Sequence, residues 1–145
     1  MKTSKDYLSE ANSIVDKITV AEGIQKHKNT NAVFIDVRDS TEIATTGTIT
    51  NCLKIPRGMI EFVADVDSTL YNDKLSKDKE IVVVCGAGGM AALSGKTLIE
   101  MGYKKVLGIE PAKNLAKLAN KSKIKTFNGF LEKKNLNKIK KNADL

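Results

Sequence analysis

Tryptophan is absent, and proline, cysteine and histidine number only two, two and one in 145 residues. Each scarcity removes a class of explanation. Two cysteines are too few for a disulfide framework, and no cysteine or histidine recurs at metal-ligand spacing, so neither staples nor a structural metal is expected. Cys52 and Cys85 read as free thiols in a reducing compartment. No apolar run is long enough to cross a bilayer, and Met1-Lys-Thr-Ser-Lys-Asp is not followed by the hydrophobic stretch of a signal peptide. The expectation is a cytoplasmic protein without a membrane partner. The lone His27 lies in a Lys-rich helix end and reads as solvated, which argues against a Cys-His protease pair.

Arginine is the other scarcity. Of 24 basic residues only Arg38 and Arg57 are arginines, so each suggests a need for the planar fork that grips a carboxylate or oxyanion at two points. The net charge of +7 is uneven: residues 113–145 hold ten lysines against Glu132 and Asp144, which leaves residues 1–112 close to neutral. A lysine run with few interleaved aromatics reads as a solvated helix face rather than a nucleic-acid surface. A composition of 41% hydrophobic and 28% charged residues suits one soluble domain able to bury a core. Residues 1–110 read as that domain. Residues 111–145 read as a Lys-rich helical tail packed on it or extending it.

Along the chain, apolar spacing predicts helices over 5–16 and 19–28, then a buried strand over 32–37 that ends with Asp36 near its carboxyl end. Asp39 and Ser40 can cap a short helix through Thr46, which Gly47 ends. A second strand over 52–55 stops at Pro56, and a helix over 60–64 precedes a polar, turn-rich stretch over 65–79. Ile81-Val-Val-Val-Cys85 is the clearest buried strand. Gly86-Ala-Gly-Gly89, a helix over 90–101, a Gly102 cap and a strand over 105–109 follow. Alternating strands and helices predict an α/β fold, a parallel sheet with helices on both faces, and a site beyond the carboxyl ends of its strands.

Cys85 ends such a strand and opens a run of small residues before a helix. Backbone N–H groups turned inward around its sulfur would favour an anion, and glycines leave room for substrate. Taken alone, Cys85 better suits a small buried core residue. Asp36-Val-Arg38-Asp-Ser-Thr-Glu42, Gly47-Thr-Ile49, Ile55-Pro56-Arg57-Gly58 and the loop opening with Cys85 occur in order, and over roughly residues 17–109 the chain resembles the rhodanese family.

The resemblance implies a three-layer rhodanese-like fold and a sulfurtransferase in which Cys85 holds sulfur as a persulfide. The sulfur would come from a thiosulfate-like or persulfide donor and pass to a thiol or cyanide. Gly86, Ala87, Gly88, Gly89 and Met90 would form the active-site loop, with Asp36, Arg38 and Arg57 in support. No metal or organic cofactor is implied. Arg38 would pair with Asp36 or Glu42, Arg57 would face the pocket, and Cys52 would pack in a strand or act as a resolving thiol. A plain surface pair of Arg38 and Glu42, one helical turn apart, is the competing reading.

Met90 and Ala91 stand where the family commonly carries arginine and a hydroxyl residue. Losing that cation removes a contact worth about 1.5–3 kcal/mol to an anionic donor. The loop length resembles the sulfurtransferase branch rather than the related phosphatases. Two other readings compete. One is a non-catalytic rhodanese-like module that binds a protein partner. The other starts from the stretch from Gly102 through Phe130, which resembles part of an S-adenosylmethionine-dependent methyltransferase. There Gly86-Ala-Gly88-Gly-Met-Ala91 would be a nucleoside loop and Glu110 its ribose acid.

Overall fold

The computed structural model describes residues 1–110. The Lys-rich tail of residues 111–145, with most of the methyltransferase-like stretch, lies outside the described residues.

Capping residues set the helix starts. Thr3 caps α1 (Ser4–Ile14) and Thr19 caps α2 (Val20–Asn29), each in a reciprocal box with the acidic residue three positions on, Asp6 and Glu22. Asp39 caps α3 (Ser40–Thr46), and Gly47 ends it at φ 78°. A 3-10 turn at Arg57–Met59 leads into α4 (Ile60–Val63). Gly88, at φ 91°, turns the chain into α5 (Gly89–Glu100). A side chain in that left-handed conformation would be strained, which explains glycine here.

The strands are β1 (Asp16–Ile18), β2 (Val33–Asp36), β3 (Leu53–Lys54), β4 (Glu80–Val84) and β5 (Lys105–Ile109). They form one sheet in the order β1-β5-β4-β2-β3, with every pairing parallel. The parallel α/β sheet expected from the alternating pattern is therefore present, with one addition. Residues 16–18 were expected to end a helix or turn, yet they pair with Leu107–Ile109 as an edge strand. Edge pairing needs no apolar run, and Asp16 and Lys17 are exposed.

Period-two alternation divides the core. Ile35, Val37, Ile81, Val83 and Cys85 point to one face, with Ile60, Ala64, Ala91, Leu98 and Tyr103 packed over them. Phe34, Val82, Val84 and Ile109 point to the other, under Val20, Ile24 and Ile49. Gly95 lets α5 pack close to the end of α1: both Val15 methyls stand 3.0 Å from where a Gly95 side chain would begin. No helix among the described residues is long and apolar enough to cross a membrane.

Tyr103 anchors the turn-rich stretch over 65–79. Its hydroxyl lies 2.9 Å from both Ala64 O and Leu75 O and donates between them, while Tyr71 donates to the same Leu75 carbonyl. Tyr103→Phe is expected to cost about 1–3 kcal/mol, because it strips a buried carbonyl of its donor while keeping the ring. Urea unfolding measures this. A loss below about 0.5 kcal/mol would mean that water replaces the hydroxyl.

His27 corrects the solvated reading. Its Nε2 lies 2.8 Å from Thr50 O, and its ring meets Phe34 edge-on at 5.2 Å. Helix α2 presses this face onto the sheet, which local sequence could not reveal.

Candidate active site

The chain order puts a switch between β2 and β4: β3 is added beyond β2, and β5 beyond β4 on the other side. A crevice at the carboxyl ends is expected there. Cys85 follows β4, and Asp36 ends β2.

Cys85 is 5% exposed. Its Sγ accepts hydrogen bonds from Gly88 N at 3.1 Å and Ala91 N at 3.3 Å. The two donors come from the loop's left-handed turn and the first turn of α5, so the small residues after Cys85 curl the backbone around the sulfur. Gly86 and Ala87 are exposed, and Met90 is 38% exposed. The loop thus presents a shallow, uncharged rim. Ala91 is buried beneath it. The same N–H groups that a nucleoside loop would offer to a ligand are directed at sulfur.

Beside the loop sits a charge cluster anchored on β2. Asp36 and Arg38 are 0% and 1% exposed. The Asp36 carboxylate accepts from Arg38 N and Nε at 3.1 Å, Arg38 Nη2 at 2.9 Å and the Thr48 hydroxyl at 2.6 Å. Arg38 also donates to Gly47 O at 2.7 Å, Thr46 Oγ1 at 2.8 Å and Glu42 Oε1 at 3.5 Å. Burial opposes its charge, but hydrogen bonding to Asp36 and the charges of Asp36 and Glu42 outweigh that and hold the guanidinium above its ordinary value. The surface-pair reading of Arg38 is therefore corrected. Its fork ties the end of β2 to α3 and the following turn, as the scarcity of arginine suggested.

The Arg57 guanidinium makes its hydrogen bonds away from the loop. It meets Glu61 at 3.2 Å and the Thr97 hydroxyl at 3.2 Å. Thr97 is nearly two helical turns past the loop, so Arg57 fastens the 3-10 turn and α4 to α5, and none of its hydrogen bonds goes to the loop. Two residues outside the loop reach it, and neither was expected there. Glu42 Oε1 lies 3.8 Å from where a side chain on Gly86 would begin, and Leu8 Cδ2 lies 3.3 Å from the same point on Gly89. The acidic end of the Asp36–Glu42 motif was a signal for the first; nothing in α1 announced the second.

Cys52 packs with Phe34, Val82 and Val84, on the sheet face opposite Cys85. That placement argues against a resolving thiol. Burial, followed by the nearby Asp36 charge, pushes its thiol from 9.0 up to about 12. Burial likewise pushes the Tyr103 hydroxyl from 10.0 up to about 12. Both groups fold neutral and have raised values, so their contribution to stability is fully present below the unfolded values. It is lost as pH rises toward the folded ones. Melting temperature is expected to fall between about pH 9 and 12, with a shallower fall in Cys52→Ala. An identical slope in that variant would refute the role of Cys52.

No group of three or more histidine, cysteine, aspartate or glutamate side chains is poised to hold a metal ion among the described residues.

The family model for the rhodanese-like domain matches residues 19–111. A structure from Rhodopseudomonas palustris, described as a protein of unknown function and possible tyrosine phosphatase, is 34% identical, with a TM-score of 0.74 over 83% of this chain and 92% of that one. A rhodanese-related protein from Thermoplasma volcanium is 22% identical over 66% of this chain and 83% of its own, with a TM-score of 0.54. The polysulfide-sulfur transferase homodimer of Wolinella succinogenes is 22% identical over 86% of each chain, with a TM-score of 0.58. These last two share the fold. No curated protein matches the chain. The methyltransferase resemblance finds no support in these relatives, and Lys105–Ile109 is a strand of the same sheet. Matched over more than half its length, with the Asp36–Arg38–Glu42 cluster and the Cys85 loop at adjoining strand ends, this chain belongs to the rhodanese-like domain family.

Proposed function

We propose that the protein is a sulfurtransferase that carries sulfane sulfur on Cys85. The observation that supports this reading best is the pair of N–H groups, from Gly88 and Ala91, directed at Cys85 Sγ. Such dipoles stabilise negative charge on sulfur without a neighbouring cation, and they suit a persulfide as well as a thiolate.

The reaction has two displacements. The Cys85 thiolate attacks the outer sulfur of a donor, forming a new S–S bond as the donor's own S–S bond breaks. The electron pair leaves with the donor as a thiolate, or as sulfite when the donor is thiosulfate. An acceptor thiolate or cyanide then attacks the outer sulfur of the persulfide, releasing the Cys85 thiolate and a new persulfide or thiocyanate. Sulfur only changes carrier, so no external oxidant is needed. The Asp36–Arg38 cluster holds the end of β2 rigid beside this chemistry, and the exposed Gly86 and Ala87 leave an approach for the donor.

A phosphatase reading fits less well. A phosphate ester would meet Met90, and no arginine, at the end of this loop. The proposal is tested by peptide mass after incubation with thiosulfate or cysteamine persulfide. One sulfur atom on the Cys85 peptide, removed by cyanide or reductant, is expected. No added sulfur from either donor, or sulfur found on Cys52 alone, would overturn the reading.

A further inference from the structure

Building on the persulfide-carrier reading, we infer that Glu42 is a specificity-determining residue: a negative charge at the loop mouth that turns away dianionic sulfur donors. Persulfides with no anion beside the sulfane sulfur would be favoured.

Glu42 reaches the loop at the residue next to Cys85, with Oε1 3.8 Å from where a Gly86 side chain would begin. Its side chain is 48% exposed, so the carboxylate is open to solvent rather than sunk in the core. Arg38 is its one ion-pair partner among the described residues, and that contact is long, at 3.5 Å against 2.9 Å from Arg38 to Asp36. One guanidinium thus serves two carboxylates, leaving the cluster with a net charge of one negative unit.

The loop's N–H dipoles are taken up by the Cys85 sulfur, and it brings no cationic side chain to offset that charge. From Gly86 to Met90 it is uncharged, and Leu8 of α1 adds an apolar wall at Gly89. Arg57 is engaged with Glu61 and Thr97, and Lys54 ends β3, on the far side of β2 from Cys85. An approaching dianion is therefore repelled by Glu42 with neither Arg57 nor Lys54, among the described residues, placed to compensate, whereas a cationic or uncharged carrier does not suffer that repulsion. At partly solvated separations of about 8 Å, one such charge changes the rate with a dianion by about 3- to 10-fold, and salt reduces the effect.

Two readouts separate this inference from the reading beneath it. Alkylation of Cys85 by anionic iodoacetate and neutral iodoacetamide, followed by peptide mass, senses charge at the mouth without any sulfur transfer. Persulfide loading by thiosulfate and by cysteamine persulfide senses donor choice. In the full chain at low salt, Glu42→Gln is expected to raise thiosulfate relative to cysteamine persulfide by about 3- to 10-fold, and the monoanion iodoacetate relative to iodoacetamide by about 2- to 3-fold. Glu42→Asp, which keeps the charge, is expected to stay near the unaltered ratios. Unchanged ratios in Glu42→Gln, with Cys85 still loading sulfur, would overturn the role of Glu42 alone. A shifted alkylation ratio with no donor loading Cys85 would instead overturn the carrier reading, and the donor specificity with it.

Discussion

Arg38→Met is expected to destabilise the fold by about 3–5 kcal/mol, among the largest losses a single substitution here can produce. Methionine replaces much of the arginine stem, so the effect is not chiefly a cavity. It comes from Asp36, fully buried, which would keep its charge with only the Thr48 hydroxyl and the backbone N–H of residue 38 as donors. Gly47 O and Thr46 Oγ1 would also lose their guanidinium contacts. Urea unfolding at neutral pH measures the loss. Removing both charges in Asp36→Leu with Arg38→Met should recover much of it, because an apolar pair has no ion to desolvate. A single-variant loss below about 1 kcal/mol would mean that water reaches the carboxylate.

Cys85→Ser is expected to reduce sulfur loading by at least about 1000-fold while the fold persists. Serine matches cysteine in shape, but its hydroxyl is not ionised near neutrality and is a poor nucleophile toward sulfur. The Gly88 and Ala91 N–H groups can still bond an oxygen at that position, so the loop keeps its donors occupied. Cys52→Ser should load sulfur as the unaltered protein does. Its thiol, pushed up to about 12, stays protonated at neutral pH, and it faces away from the loop. Equal loading of Cys85→Ser and the unaltered chain would refute the assignment. Loss of loading only in Cys52→Ser would move the chemistry to the other thiol.

Much of the architecture was legible because its signals are local. Apolar runs identified β2, interrupted only by Asp36, and β4, and the caps at Asp39 and Gly47 marked where α3 begins and ends. Edge strand β1 was not legible, since three residues with two exposed charged side chains show no pattern until β5 is alongside. The site divides in the same way. Cys85 followed by glycines was visible as a strand-to-helix turn, whereas the direction of the Gly88 and Ala91 N–H groups depends on how that turn is wound.

By itself, the sequence determined the fold class, the strand that ends at Cys85 and the importance of its two arginines. Each of these rests on residue type, periodicity or short spacing. Tertiary structure decided what those residues meet. It buried Arg38 against Asp36, sent Arg57 to Glu61 and Thr97, put Cys52 across the sheet from Cys85, and brought Glu42 to the loop from more than forty residues away. The physical reason is that burial and charge pairing depend on which strand ends become neighbours, and sheet order sets that only when the whole domain closes.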